Sequence, residues 1–135
     1  MPGPGTWSPG DILTADDLNA IGVWTSYTPV LTQGVVRTAT VNYAKYCLIN
    51  KLCYVNVDLT CTTTGSGANA TISLPLTAVS QSTNVPLGVG IFFDSSASTT
   101  TITSVGPGTN STAFLTSTTL GNNDVLSFSL AYEVT

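Results

Sequence analysis

Histidine is absent from the 135-residue chain, and charged residues of any kind make up only 7% of it. The three cations are Arg37, Lys45 and Lys51, and seven carboxylates bring the net charge to −4. Proteins bind nucleic acid mainly by neutralising phosphates with Lys and Arg, so a single copy of this chain cannot assemble such a surface. Without histidine the chain also lacks a common zinc ligand. The sequence therefore predicts neither a nucleic-acid partner nor a metal site.

Long apolar runs are also missing. The longest, Val85 to Phe93, is far shorter than the roughly 20 residues that a membrane-spanning helix needs. The first residues, Met1 to Gly5, have neither the basic nor the apolar segment of a secretory signal. We therefore expect a soluble protein made in a cytosol, with no membrane insertion.

The cysteines are few and odd in number, which does not suit a complete disulfide framework. Cys53 and Cys61 have the parity of core-facing positions, where a free thiol behaves as a small apolar side chain. Cys47 would face Cys53 across a hairpin with a three-residue loop, whereas a two-residue loop would offset the pair. We expect three free thiols and, with no C-x-x-C motif, no zinc.

Because the chain has no histidine, the carboxylates are the remaining candidates for catalytic residues. A two-carboxylate hydrolase depends on a separation in space that the sequence does not define. Asp94 stands beside Ser95 and Ser96, and Asp124 follows Asn122 and Asn123, contexts that are typical of turns. The sequence predicts no catalytic residue, no cofactor and no enzyme.

The polar residues that are abundant, Thr and Ser, accompany a β pattern. Residues Cys53 to Cys61 alternate strictly between apolar and polar, as in a strand with one buried face. With Asn50–Lys51 as a tight turn, Ala39 to Cys61 predict a long central hairpin. Residues 24–135 are therefore predicted to form an all-β domain, an antiparallel β-sandwich of the jelly-roll kind. The further strand candidates are Ala70–Leu74, Leu87–Phe93, Thr99–Thr103, Ala113–Thr116 and Val125–Val134.

Residues 1–23 instead predict an extended N-terminal arm with one short helix. Thr14 is a candidate N-cap with Asp17 three residues later, and Gly22 is a C-terminal stop. A helix of about two turns is far below the roughly 12 to 15 residues that an isolated helix needs in water, so it must pack on its own β-domain or on another protein. The apolar residues expected to anchor it are Trp7, Ile12, Leu13, Leu18, Ile21 and Trp24.

A single arm would bind a partner only weakly. Ordering about 20 residues costs about as much free energy as the burial of six apolar side chains returns. Several arms on one oligomer would bind far more tightly through their effective concentration.

Two further features bear on binding. Tyr54 points outward from a strand whose other face is apolar, which makes it a candidate for a subunit interface or a ligand site. Gly65 to Thr71 and Gly106 to Thr112 share a glycine-rich pattern that leads into a strand, which predicts two loops of similar turn chemistry at one end of the sandwich.

Three motifs, in order, resemble known proteins, and a fourth segment fits the same domain. G-D-I-L-T-A-D-D-L-N-A, at Gly10 to Ala20, resembles the N-terminal attachment segments of tailed-bacteriophage fibre and head-decoration proteins. W-T-S-Y-T-P-V-L-T, at Trp24 to Thr32, is similar to the opening strand of a β-sandwich domain in such proteins. Tyr46, Ile49, Lys51 and Cys53 match in position a Y-x-x-I-G-K-x-V motif of that domain, with Asn50 in place of its Gly and Cys53 in place of its Val. I-S-L-P at Ile72 to Pro75 fits a strand that closes the hairpin sheet.

The resemblance implies a structural component of a virion, most often a homotrimer. Its arm would bind the major capsid protein or another virion protein. A chain with one arm and one small domain is more similar to a capsid decoration or head-fibre protein on the virion surface than to a full tail fibre. The alternative is a tail-fibre or receptor-binding tip that recognises a host surface glycan.

Overall fold

The computed structural model describes residues 8–12, 14–80, 85–116 and 118–135. These residues form one short helix, α1 (Ala15–Ala20), and ten strands. The backbone N–H of Leu18 donates to the carbonyl of Thr14, and Gly22 follows the helix with a φ of 71°. The strands are β1 (Thr25–Ser26), β2 (Leu31–Gln33), β3 (Val35–Arg37), β4 (Ala39–Ile49), β5 (Leu52–Cys61), β6 (Ala70–Ser73), β7 (Gly88–Asp94), β8 (Thr99–Thr109), β9 (Thr112–Thr116) and β10 (Val125–Glu133).

All ten strands belong to one curled antiparallel sheet in the order β1-β4-β5-β10-β7-β8-β9-β6-β2-β3. Strand β8 is the bend: Thr99–Val105 pair with β7, and Gly106–Thr109 lie along β9. We call β1, β4, β5, β10, β7 and the start of β8 the first half, and the end of β8 with β9, β6, β2 and β3 the second half. The predicted all-β, antiparallel class is confirmed.

The central hairpin is confirmed at β4 and β5. Ile49 pairs with Leu52, so the loop is Asn50–Lys51, and Asn50 has the positive φ of 56° that such a turn requires. The two-residue loop places Cys47 opposite Tyr54 and sends Cys53 to the other face of the sheet. All three cysteines are free thiols.

The curl exists because both halves bury their inner side chains in one core. Strands β5 and β10 run in register through nine residue pairs, which aligns their apolar rows. Leu31 and Ile72 of the second half belong to the same buried cluster as Val55 and Leu126 of the first. Burying both faces together removes from water what neither half could bury alone.

Gly90 makes room in this core. A Cβ at this position would lie 2.5 Å from the Cβ of Phe128, its partner in β10. Only a residue without a side chain lets the aromatic ring of Phe128 pack at this point of the sheet.

A buried amide fastens the second half to two loops. Gln33 is fully buried, and its Nε2 donates to the carbonyls of Ala68 and Thr118 at 2.8 Å each. Its Oε1 accepts from the backbone N–H of Leu120 at 3.1 Å. With its donors and acceptor paired, this polar side chain can occupy the core without a net penalty.

The two aspartates predicted to form turns do so in different ways. Asp94 caps an exposed turn, accepting from Ser96 and from the backbone N–H of Ala97, and these bonds lower the pKa of its carboxyl. Asp124 is buried and joins two loops, accepting from the backbone N–H groups of Ser95 and Gly121.

The prediction of two equivalent glycine loops is wrong for the second. Residues 65–69 are a loop before β6, as expected. Residues 106–109 instead continue β8, and only Asn110 and Ser111 turn the chain into β9. The strand runs on because it crosses from one half of the sheet to the other.

Candidate interaction surface

The outward face of the first half carries large apolar side chains where a sheet facing water usually carries polar ones. Register explains which side chains meet there: Ile91 pairs with Ile102 across β7 and β8, and Val89 pairs with Ser129 of β10. On β5, Tyr54 lies opposite both Cys47 and Ala131. We call this surface the outer apolar face; its exposed large members include Trp24, Tyr54, Val89, Ile91 and Ile102.

Exposure makes this face unusual. Ile102 is 76% exposed, Val89 57% and Ile91 49%. A single exposed apolar residue needs no explanation, but several in contact across neighbouring strands form a patch of the kind found at interaction sites.

Two shallow grooves cross the outer apolar face. One, of about 380 Å³, is lined by Ile91, Ile102 and Ser127 among others. The other, of about 400 Å³, is lined by Trp24, Tyr54 and neighbouring side chains. Both grooves include Val89 and Ser129 in their walls, so they lie side by side on this face.

The polar side chains on this face bond mainly to one another. Ser129 Oγ donates to Asn56 Oδ1 at 2.6 Å, and Asn42 Nδ2 donates to Asp58 Oδ1 at 2.6 Å. The ammonium of Lys45 lies 5.5 Å from the ring centroid of Tyr43, a cation–π distance. Because these groups already have partners, the face is less polar than its composition suggests.

Of the six predicted anchoring residues, four lie in the described part of the chain and all four are exposed. Ile12 is 83% exposed, Leu18 53%, Ile21 45% and Trp24 44%. These side chains therefore leave apolar surface in water, although Trp24 lines a groove of the chain's own β-domain together with Tyr54. Trp7 and Leu13 lie outside the described residues.

The arrangement brings together two residues that the sequence treated separately. Trp24, assigned to the arm, and Tyr54, assigned to a subunit or ligand contact, line the same groove. The sequence reasoning missed Val89, Ile91 and Ile102. A signal was present, because the apolar run from Val85 to Phe93 does not alternate, and such a strand is apolar on both faces.

The buried thiols Cys53 and Cys61 are held neutral. Burial raises the pKa of the Cys61 thiol to about 11, with a further contribution from the charge of Asp124, and burial also raises the pKa of Cys53. A thiol that stays protonated is a poor nucleophile. Among the described residues no three His, Cys, Asp or Glu side chains are grouped so as to hold a metal ion.

Comparison with known proteins finds no match: no family profile, no curated protein and no solved structure is significantly similar to the chain. Within the described ranges, no helix has the length and apolar character needed to cross a bilayer.

Proposed function

We propose that this protein is a structural component of a tailed-phage virion, a homotrimeric capsid decoration or head-fibre protein attached to the particle by residues 1–23. The observation that carries the proposal is the exposure of Ile12, Leu18 and Ile21 on the arm, which leaves apolar surface free for a partner. The attachment motif of Gly10 to Ala20 supports the same assignment. In this assignment the β-domain, which we interpret as a β-sandwich, faces away from the particle.

The arm is suited to attachment by multivalency. Its helix of six residues is too short to be stable alone, so it gains stability on a partner such as the major capsid protein. Three arms on one trimer would bind cooperatively through effective concentration, which compensates for the ordering cost of each.

Removal of residues 1–23 tests the proposal. We expect the truncated protein to keep the far-ultraviolet circular dichroism of a β-domain and to lose sedimentation with purified particles that lack the protein. A full-length variant carrying Ile12→Asp and Ile21→Asp should also fail to bind, whereas Val36→Asp, on the exposed edge strand β3, should bind normally. Retained binding by the truncated protein would contradict the proposal.

Copy number per particle locates the protein. Quantitative mass spectrometry against the major capsid protein should find hundreds of copies for a decoration protein. A handful would place it at the tail or a vertex, and none would contradict a place in the virion.

A receptor-binding tip is the second candidate, and the groove that Trp24 and Tyr54 share favours it, because aromatic side chains in a shallow depression stack on sugars. A glycan array and a host-cell binding assay with the intact protein test it. Binding that Tyr54→Ala abolishes would support this function. Absence of binding both to the glycan array and to host cells would count against it.

A further inference from the structure

We propose that the outer apolar face is the surface through which copies of this chain associate, with part of the face of each copy packed on the next copy. The inference rests on the proposed function, since a multivalent attachment protein has to hold several arms together. It adds which part of the molecule does so: the exposed side chains of β5, β7 and the first part of β8, with Trp24 at the margin.

The size of the face agrees with this occupant. The first half has six strands, and neighbouring strands lie about 4.8 Å apart. The longer strands have seven to eleven residues, each of which adds about 3.3 Å of length. Together they cover roughly 700 Å² in projection. A stable interface buries about 800 Å² on each partner. The face alone can therefore supply nearly all of the contact that one copy needs to make.

Charge points to a second copy rather than to a charged partner. The ionic groups at outward positions are Lys45, Asp58 and Glu133, the last at the margin of the face beside Leu52. Asp58 already accepts a hydrogen bond from Asn42, and Lys45 lies over Tyr43. Two such faces can meet without strong repulsion, whereas an acidic or basic surface would find few partners here.

Shape points the same way. Ile102 projects from the sheet with most of its side chain exposed, beside a depression of about 380 Å³ that adjoins a second of about 400 Å³. A surface that carries both a projecting side chain and a depression can place the projecting side chain of one copy in the depression of the next, a head-to-tail contact that can close into a ring of three. Stacked sheets lie about 10 Å apart, a distance that side chains of this size fill.

The outward face of the second half provides an internal control. Thr32 and Thr71 pair on that face, together with Val36 of the edge strand. Val36 is 69% exposed and Val89 is 57% exposed, and both lie on strands. A change of Val to Asp at either position adds the same charge to an exposed strand, but only Val89 belongs to the outer apolar face.

The experiment is sedimentation velocity on the full chain between about 1 and 100 µM, with three proteins: wild type, Val89→Asp and Val36→Asp. We expect the wild type to sediment as a multiple of its 13.9 kDa mass. Val89→Asp should raise the dissociation constant at least about tenfold, because an unpaired charge at the centre of an interface costs several kcal/mol. Val36→Asp should associate like the wild type. Circular dichroism confirms that each variant is folded.

Ile102→Asp is the second variant, chosen because a side chain that is 76% exposed contributes little to the fold of one copy. It should weaken association as Val89→Asp does. A wild type that stays at the mass of one chain throughout would overturn the inference, and so would equal association of the Val89→Asp and Val36→Asp proteins.

The outcomes also separate this inference from the proposed function. A protein that associates through the face but does not sediment with particles would leave the inference standing and contradict virion attachment. A protein that binds particles as a single chain would overturn the inference and leave attachment standing.

Discussion

The two halves of the sheet share one core but differ in how they are held and in what they present to the outside. The first half is held by aligned apolar rows such as Val55 opposite Leu130, and it carries exposed apolar side chains on its outer face as well. The second half is held to its loops by the amide of Gln33, and threonines pair on its outer face. A sheet with apolar side chains on both faces can pack on its own core with one face and on another molecule with the other.

The same difference distinguishes side chains that stabilise the fold from side chains that serve association. Inward side chains of both halves are explained by the stability of a single chain. Outward side chains of the first half are not, because a lone copy leaves Val89, Ile91 and Ile102 in water. We therefore assign the inner faces to folding and the outer apolar face to association.

The largest effect on this comparison should come from Gln33→Met. The substitution keeps the volume but removes the partner of the carbonyls of Ala68 and Thr118 and of the buried N–H of Leu120. We expect a loss of about 3 to 5 kcal/mol in the free energy of unfolding, measured by urea denaturation. Thr32→Val, on the outward side of the same strand, should change that free energy by less than about 0.5 kcal/mol. If both variants were equally stable, the second half would not depend on its buried amide.

The next effect concerns the loops where the ends of both halves meet. Asp124→Asn replaces one acceptor oxygen with an amide group that faces the backbone N–H of Gly121 or Ser95. We expect a loss of about 2 kcal/mol, since a hydrogen bond to a charged acceptor is stronger than a neutral one. Asp94→Asn, in an exposed turn, should lower the melting temperature less than Asp124→Asn does. The reverse order would mean that the buried carboxylate does not fasten these loops.

The smallest effect compares two tyrosines of the first half. Tyr132 Oη donates to the carbonyl of Leu76, on the segment that follows β6, at 3.0 Å. Tyr27 Oη is buried without a hydrogen-bond partner among the described residues, although its ring makes an edge contact with Tyr46 at 6.0 Å.

Removal of each hydroxyl should therefore have opposite results. We expect Tyr132→Phe to lose about 1 kcal/mol of unfolding free energy, and Tyr27→Phe to lose none or gain slightly, because it removes an unpaired buried hydroxyl. Both are measured by the same urea titration. A loss of stability in Tyr27→Phe as large as in Tyr132→Phe would show that burial alone does not separate the two hydroxyls.

The local pattern of the sequence was enough to predict the all-β class, the hairpin of β4 and β5, and the inward parity of Cys53 and Cys61. Each of these depends on residues close together in the chain: a period-2 alternation and a turn residue, Asn50, that tolerates a positive φ. The approximate positions of β6, β7 and β10 followed from the same pattern.

Tertiary structure alone decided the rest, because those features join residues that are distant in the chain. Gln33 reads as an ordinary polar strand residue until the curl places it against Ala68 and Thr118. Gly106 to Thr109 read as a loop until β8 crosses between the two halves. The outer apolar face likewise depends on the register that sets Ile91 beside Ile102, because alternation assigns side chains to the two faces of a strand and only strand pairing assembles them into a surface.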